Sequence, residues 1–179
     1  MIKEGDIIEG QLSMTVSGSG YLMNDDLVKD IYISRKKTNK GLHLDTVKVE
    51  VIKIKDKGPE GRVIEVVERF KTKFVGTLDV SDKFAFVRPD SNKMPVDIFV
   101  ELDKMKGLDG QKVIVEIIEW RDGHKSPKGV ITEVLGDKGD NETEIHSILH
   151  EYDLPYKFSD EVEEEANQIP LFPSEEEIS

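Results

Sequence analysis

The 179-residue chain has no cysteine, which excludes disulfide bridges and thiolate metal sites outright. It also lacks any run approaching the roughly 18 apolar residues that a membrane helix needs. Met1-Ile2-Lys3-Glu4 does not have the pattern of a secretory signal. These absences fit a protein of the reducing cytoplasm. Aromatics are few, with 7 Phe, 4 Tyr and a single Trp, so the places where they gather carry information. Positive charge is scarce too: the formal net charge of −12 argues at first sight against a polyanionic partner. The deficit is local, however. Residues 1–72 hold 13 Lys+Arg against 12 Asp+Glu, residues 73–136 hold 10 against 11, and residues 137–179 hold 2 against 14. The acidity belongs to the tail, and the rest of the chain is free to present a local basic face.

What the chain does have is a repeat. Residues 7–68 and 73–136 align as two versions of one unit. Glu9-Gly10-Gln11-Leu12 answers to Val75-Gly76-Thr77-Leu78, and Asp30-Ile31-Tyr32-Ile33 to Asp97-Ile98-Phe99-Val100. Val47-Lys48-Val49-Glu50-Val51-Ile52 answers to Val113-Ile114-Val115-Glu116-Ile117-Ile118, and Pro59-Glu60-Gly61 to Pro127-Lys128-Gly129. A period of about 66 residues is too long for a solenoid and suits a whole small domain.

Each unit reads as short strands separated by turns. In the second they are expected at Phe74–Val80, Phe84–Arg88, Asp97–Val100, Lys112–Trp120 and Gly129–Leu135. The fold class is therefore all-β: two tandem five-stranded barrels of the oligonucleotide-binding type, followed by a short acidic helical tail. Closure removes the edges that such strands would otherwise expose. The expected domains are residues 1–70, 71–136 and 137–179.

Alternation in Lys83-Phe84-Ala85-Phe86-Val87 sends Phe84 and Phe86 to one face and Ala85 and Val87 to the other. Phe99 has the parity to join the two phenylalanines. Three aromatics beside Lys83 would make a stacking platform for bases, each stack worth roughly 1–3 kcal/mol, with the cation on phosphate. The same three rings could equally fill a barrel core, and the pattern alone leaves both readings standing.

Lys83-Phe84-Ala85-Phe86-Val87 resembles the first ribonucleoprotein-like motif of cold-shock domains, and Asp97-Ile98-Phe99-Val100 resembles the second. Two such units, then Ser126-Pro127-Lys128-Gly129 to Leu135-Gly136, Ile148-Leu149 and Leu154-Pro155, are similar to the segment that precedes the catalytic domain in ribonuclease R-type members of the ribonuclease II family. The resemblance implies single-stranded RNA as partner and a processive 3′-to-5′ exoribonuclease as parent. It also implies hydrolysis by a separate magnesium-holding domain, so this stretch would be non-catalytic, with no cofactor of its own. By the same resemblance Lys83, Phe84, Phe86 and Phe99 would contact RNA, assisted by Tyr21, Tyr32, Lys36 and Lys37. Departures are visible. Ala85 replaces the usual Gly, and Val100-Glu101 stands where a histidine often follows, putting a carboxylate that would repel phosphate beside the platform. The first unit offers only Gly18-Ser19-Gly20-Tyr21, a flexible tip with one aromatic. Its Lys29, Arg35, Lys36, Lys37 and Lys40 form a basic cluster that either grips backbone or simply lines a solvated loop.

In the tail, Asn141 is expected to cap a helix with Ile145, Ile148, Leu149 and Tyr152 on one stripe. Ser159 caps a second that carries Val162, Ala166 and Ile169. Both helices are expected to pack on the second barrel or on the catalytic domain of the same enzyme. The runs Glu161–Glu165 and Glu175–Glu177 read as solvated faces, because neighbouring helical carboxylates diverge and two-metal chemistry needs convergent ligands. His146 and His150 have a zinc-compatible i, i+4 spacing but no third ligand, so a surface pair is the simpler reading. Trp120 either stacks a base or packs against the turn that follows it. Beside the RNA-binding reading stands another, in which the barrels dock on proteins and barely bind RNA.

Overall fold

The computed structural model describes residues 2–155. The expected second tail helix and the acidic runs at 161–165 and 175–177 lie outside them. The first barrel is built from β1 (Ile7–Met14), β2 (Gly20–Met23), β3 (Ile31–Ile33), β4 (Thr46–Lys55) and β5 (Gly58–Glu68). The second uses β6 (Lys73–Val80), β7 (Ala85–Pro89), β8 (Ile98–Val100), β9 (Gln111–Glu119) and β10 (Lys128–Asp137). Both sheets close into five-stranded barrels with the same strand order, β1-β2-β3-β5-β4 and its equivalent β6-β7-β8-β10-β9. In each, closure comes from a short parallel pairing, β3 with β5 and β8 with β10. The all-β tandem-barrel expectation holds. β7 starts at Ala85 and not at Phe84 because the Phe84 carbonyl accepts the Ser81 N–H and Oγ–H, both at 2.9 Å, in a turn.

Alternation decides what is inside. Val47, Val49 and Val51 fill the first barrel with Leu12, Leu22, Ile31 and Ile33. Val113, Val115 and Ile131 fill the second with Ala85, Val87, Ile98 and Val100. The repeated Pro-x-Gly has a packing cause. A Cβ on Gly61 would lie 2.4 Å from Val49 Cγ1 and 2.8 Å from Ile31 Cγ2. On Gly129 it would lie 2.6 Å from Ile98 Cγ2 and 2.7 Å from Val115 Cγ2. Only glycine lets the closing strand approach so near. Gly129→Ala is therefore expected to destabilise the second barrel by about 1–3 kcal/mol through overpacking. Urea unfolding measures this, and an unchanged midpoint would contradict the packing argument.

The barrels meet at a joint. Leu42, from the first unit, belongs to the core cluster of the second. The fully buried Asp45 carboxylate accepts the backbone N–H of Leu42 at 2.8 Å and of Phe70 at 3.0 Å, and pairs with Arg69 at 2.5 Å. Arg69 also donates to the Lys40 carbonyl at 2.7 Å and lies 5.8 Å over the Trp120 ring. Lys40 donates to the Trp120 carbonyl at 2.9 Å and pairs with Asp122. Lys40 is thus a structural cation at the joint and not a member of a backbone-gripping cluster.

Helix α1 spans Asn141–Glu151. Its cap is Asp140, one residue before the expected Asn141: Asp140 has extended backbone, and its Oδ2 accepts the Thr143 N–H at 3.1 Å. Glu144 Oε1 accepts the Gly139 N–H at 2.9 Å. The apolar stripe is also corrected. Thr143 and Ser147 are the buried residues of the helix, whereas Ile145, Ile148 and Tyr152 are exposed. The cause is a close approach to β10, where a Cβ on Gly136 would fall 2.3 Å from Thr143 Oγ1, so small side chains face the barrel. Among the described residues no helix is long and apolar enough to cross a membrane.

Candidate nucleic-acid interface

β7 and β8 lie side by side, and Phe86 pairs directly across from Phe99. Ala85, Val87 and Ile98 are fully buried and Val100 nearly so, which forces the alternate side chains outward. Phe84 is 48% exposed, and Phe86 and Phe99 are half-buried. The rings form an edge-to-face row, with Phe84–Phe86 and Phe86–Phe99 centroids both 5.6 Å apart at 68°. None of the three belongs to the barrel core. Of the two readings the pattern left open, the geometry gives an outer aromatic surface.

Strand register extends this surface into a row that crosses the sheet. Asp79 faces Phe86, Phe86 faces Phe99, Phe99 faces Lys128, and Lys128 faces Glu119. The first barrel repeats the row as Ser13, Tyr21, Tyr32, Glu60 and Lys53. Its two tyrosine rings are 5.5 Å apart at 58°, and Tyr21 is 41% exposed. The difference that matters is the charge beside the second ring. Lys128 adjoins Phe99, whereas Glu60 adjoins Tyr32. Glu60 is held below its ordinary carboxylate value by Lys55 at 2.5 Å, so it stays an anion. The neighbour of the second ring is thus a lysine paired with a glutamate on the second barrel and a glutamate paired with a lysine on the first.

Beside the platform lies a cleft of about 420 Å³, lined by Phe86, Phe99, Glu101, Glu119, Arg121, His124, Lys125, Ser126 and Lys128. Glu101 was expected to repel phosphate there. Instead it sits between Lys128 at 2.5 Å and Lys104 at 2.9 Å. The hydrogen bonds from Lys128 and then Lys104 hold its carboxyl at about 2. Two ammonium groups outweigh the one carboxylate, and the expected repulsion is cancelled. Glu119 is likewise bridged by Arg121 at 2.8 Å, which holds it below its ordinary value. Sequence reasoning missed the 121–128 loop as a wall of this cleft. Its signal was legible: four basic or histidine residues between Arg121 and Lys128, feeding a strand that closes next to Phe99.

The other expected residues fall as follows. Lys83 is exposed on the turn that carries Phe84. Lys36 and Lys37 are exposed on the 3₁₀ turn Arg35–Lys37 after β3. The tip at Gly18-Ser19-Gly20 is tied and not loose, since the Thr15 hydroxyl meets the Ser17 and Ser19 hydroxyls at 2.9 Å and Thr15 N–H donates to Ser19 O at 2.8 Å. Trp120 packs against its turn, with Nε1–H donating to the His124 carbonyl at 3.0 Å. Among the described residues no group of three His, Asp or Glu side chains is placed to hold a metal ion, His146 and His150 included.

Comparison with known proteins agrees with the two-barrel fold. Residues 10–66 match the Ribonuclease B OB domain family and residues 86–159 the Cold shock domain family. The chain is 34% identical over 169 residues to ribonuclease R of Thermotoga maritima, covering 92% of this chain and 24% of that protein. Its fold is similar to that of Mycoplasma genitalium RNase R in complex with ribose-methylated single-stranded RNA, with TM-score 0.77 at 20% identity over 96% of this chain and 28% of the other. It is also similar to yeast Ssd1, a pseudonuclease, with TM-score 0.72 at 21% identity over 83% of this chain and 25% of the other. The chain spans about a quarter of the length of the Thermotoga relative.

Proposed function

We propose, for a chain that belongs to the ribonuclease R family through its OB and cold shock domains, that the two barrels capture single-stranded RNA. Bases stack on Phe84, Phe86 and Phe99, while Lys83, Lys128 and Lys125 take backbone phosphates. The tyrosine row of the first barrel, with Lys36 and Lys37, guides the strand more weakly. The parent protein would be a 3′-to-5′ exoribonuclease of the cytoplasm that receives the guided RNA end. Magnesium, implied for hydrolysis by the resemblance, would take its ligands from outside the described residues. The observation that carries the reading is the in-register row Phe86–Phe99–Lys128, a ring pair ending in a cation on the outside of a barrel.

The test is fluorescence anisotropy of a labelled single-stranded RNA at low and moderate salt. Binding that weakens with a log–log slope of about −0.7 per phosphate contacted is expected. Absence of binding at low salt by the folded chain would overturn the reading. Glu101→Gln sharpens the test, because it removes the carboxylate that now occupies Lys104 and Lys128. Affinity is expected to rise about threefold and the salt slope to steepen, since an exposed pair holds its partners by less than about 1 kcal/mol. Weaker binding in this variant would count against phosphate contact by those lysines.

A docking role has its own supporting observation. The outer face of α1 shows Ile145 at 49%, Ile148 at 57% and Tyr152 at 72% exposure, next to Leu154 at 50%. In the parent enzyme this face would receive the catalytic domain, which makes docking a companion of RNA capture.

A further inference from the structure

The joint between the barrels holds a second cleft, of about 450 Å³, separate from the platform. Two of its polar groups, His43 and Lys93, face each other across 2.9 Å. His43 Nδ1 accepts the Met14 N–H at 3.1 Å. A neutral imidazole that accepts at Nδ1 must carry its proton on Nε2. Burial, and then the neighbouring Lys93, lower the affinity of this ring for a second proton, so the neutral form is the relevant one. Its Nε2–H, however, lies 2.9 Å from Lys93 Nζ. An ammonium group has three donors and no acceptor. The pair therefore converges two donors on one place, with no acceptor between them among the described residues.

The remaining lining says what kind of acceptor fits. Ser91 and Asn92 stand beside Lys93 in the cleft, and the ring of Phe70, 60% exposed, stands on its wall. Cationic and amide donors next to an open aromatic face suit a nucleotide better than a free anion. The acidic members of the lining, Glu151 and Asp153, lie at the end of α1. Glu151 is occupied by Lys71, whose Nζ donates to its carbonyl at 2.8 Å and lies 3.4 Å from its carboxylate. A groove along the β7–β8 loop links the two sites. It contains Phe86 and Arg88 at one end and shares Ser91, Asn92 and Met94 with the joint cleft at the other.

We propose that the joint cleft is a second nucleotide subsite for single-stranded RNA, with one backbone phosphate on the Lys93 ammonium and His43 Nε2–H and one base on Phe70. The proposal rests on the RNA-binding reading above and adds a site outside both aromatic rows. A strand bound at the platform would run along the β7–β8 loop and engage the joint only when long enough.

Binding of labelled oligouridylates of four and twelve nucleotides separates the two sites. Phe70→Ala and Lys93→Met are each expected to weaken the twelve-mer about tenfold, the loss of one stack or one phosphate contact. The four-mer should stay within about twofold. Because either change lies near the joint, the fold is checked by circular dichroism. A direct readout in the unaltered chain accompanies it: the His43 ring-nitrogen resonances should shift on adding the twelve-mer and not the four-mer. Twelve-mer affinity unchanged in both variants, equal losses for both lengths, or a silent His43 ring would each overturn the subsite. Failure of the wild-type chain to bind either RNA would instead overturn the RNA reading itself.

Discussion

Alanine at Phe84, Phe86 and Phe99 together is expected to lower the affinity for single-stranded RNA by about a hundredfold or more and to leave both barrels folded. Base–aromatic stacking is worth roughly 1–3 kcal/mol per base, and the three rings form one continuous edge-to-face row. Loss of two stacked bases alone gives about 3 kcal/mol, which is a factor of more than a hundred. The fold survives because the opposite faces of β7 and β8 supply the core: Ala85, Val87, Ile98 and Val100 are buried and untouched. Mutual ring contact contributes about 0.5–1.5 kcal/mol per pair, so a modest fall in stability accompanies the large fall in affinity. Tyr21→Ala with Tyr32→Ala should cost less, about tenfold, since the first barrel offers two rings against the three of the second. Anisotropy titrations of both variants measure the contrast. A triple variant within threefold of wild type would place the bases elsewhere.

Asp45→Ala is expected to destabilise the chain by about 3–5 kcal/mol, the range for removing one partner of a buried ion pair. The Asp45 carboxylate is fully buried, accepts from Leu42 and Phe70, and pairs with Arg69. Alanine would leave the Leu42 and Phe70 N–H groups without their acceptor and strip the Arg69 guanidinium of its carboxylate partner, with only the Lys40 carbonyl remaining to it. Burial pushes the Asp45 carboxyl above its ordinary value, against the pull of the Leu42 N–H, Arg69 and the Phe70 N–H. Asp45→Asn keeps the shape but turns one of the two accepting oxygens into a donor that faces a donor, so it too should destabilise measurably, though less than alanine because one acceptor remains. Urea unfolding followed by circular dichroism reads both. An alanine variant within 1 kcal/mol of wild type would mean that the joint is not held by this carboxylate.

The features that could be read from the chain were those with a period or a repeat. Val47/Val49/Val51 and Val113/Val115 alternate, so their strands and inward faces follow directly. The parity of Phe84, Phe86 and Phe99 put the three rings on one face. It could not say which face, because an inward and an outward row have the same spacing. Only the burial of Ala85 and Val87 decides. The joint was not legible. Lys40 meets Trp120 and Asp122 some 80 residues away, and Asp45 meets Arg69 from 24 away, with no periodic trace of either. The Glu101 error has the same origin. Lys104 stands three residues on, but the second partner, Lys128, reaches Glu101 only through the parallel closure of β8 and β10. The outward turn of Ile145 and Ile148 reflects a contact at Gly136, a backbone feature that a helical stripe does not record.

Photo-crosslinking locates the bases directly. A single-stranded RNA substituted with 5-iodouridine, bound at saturation and irradiated, marks the aromatic side chains against which its bases lie, and mass spectrometry assigns them. Adducts on Phe86 and Phe99, with Phe84 beside them, are expected. Saturated RNA whose adducts fall only outside the β7–β8 surface would contradict the aromatic platform as the place where this chain holds RNA.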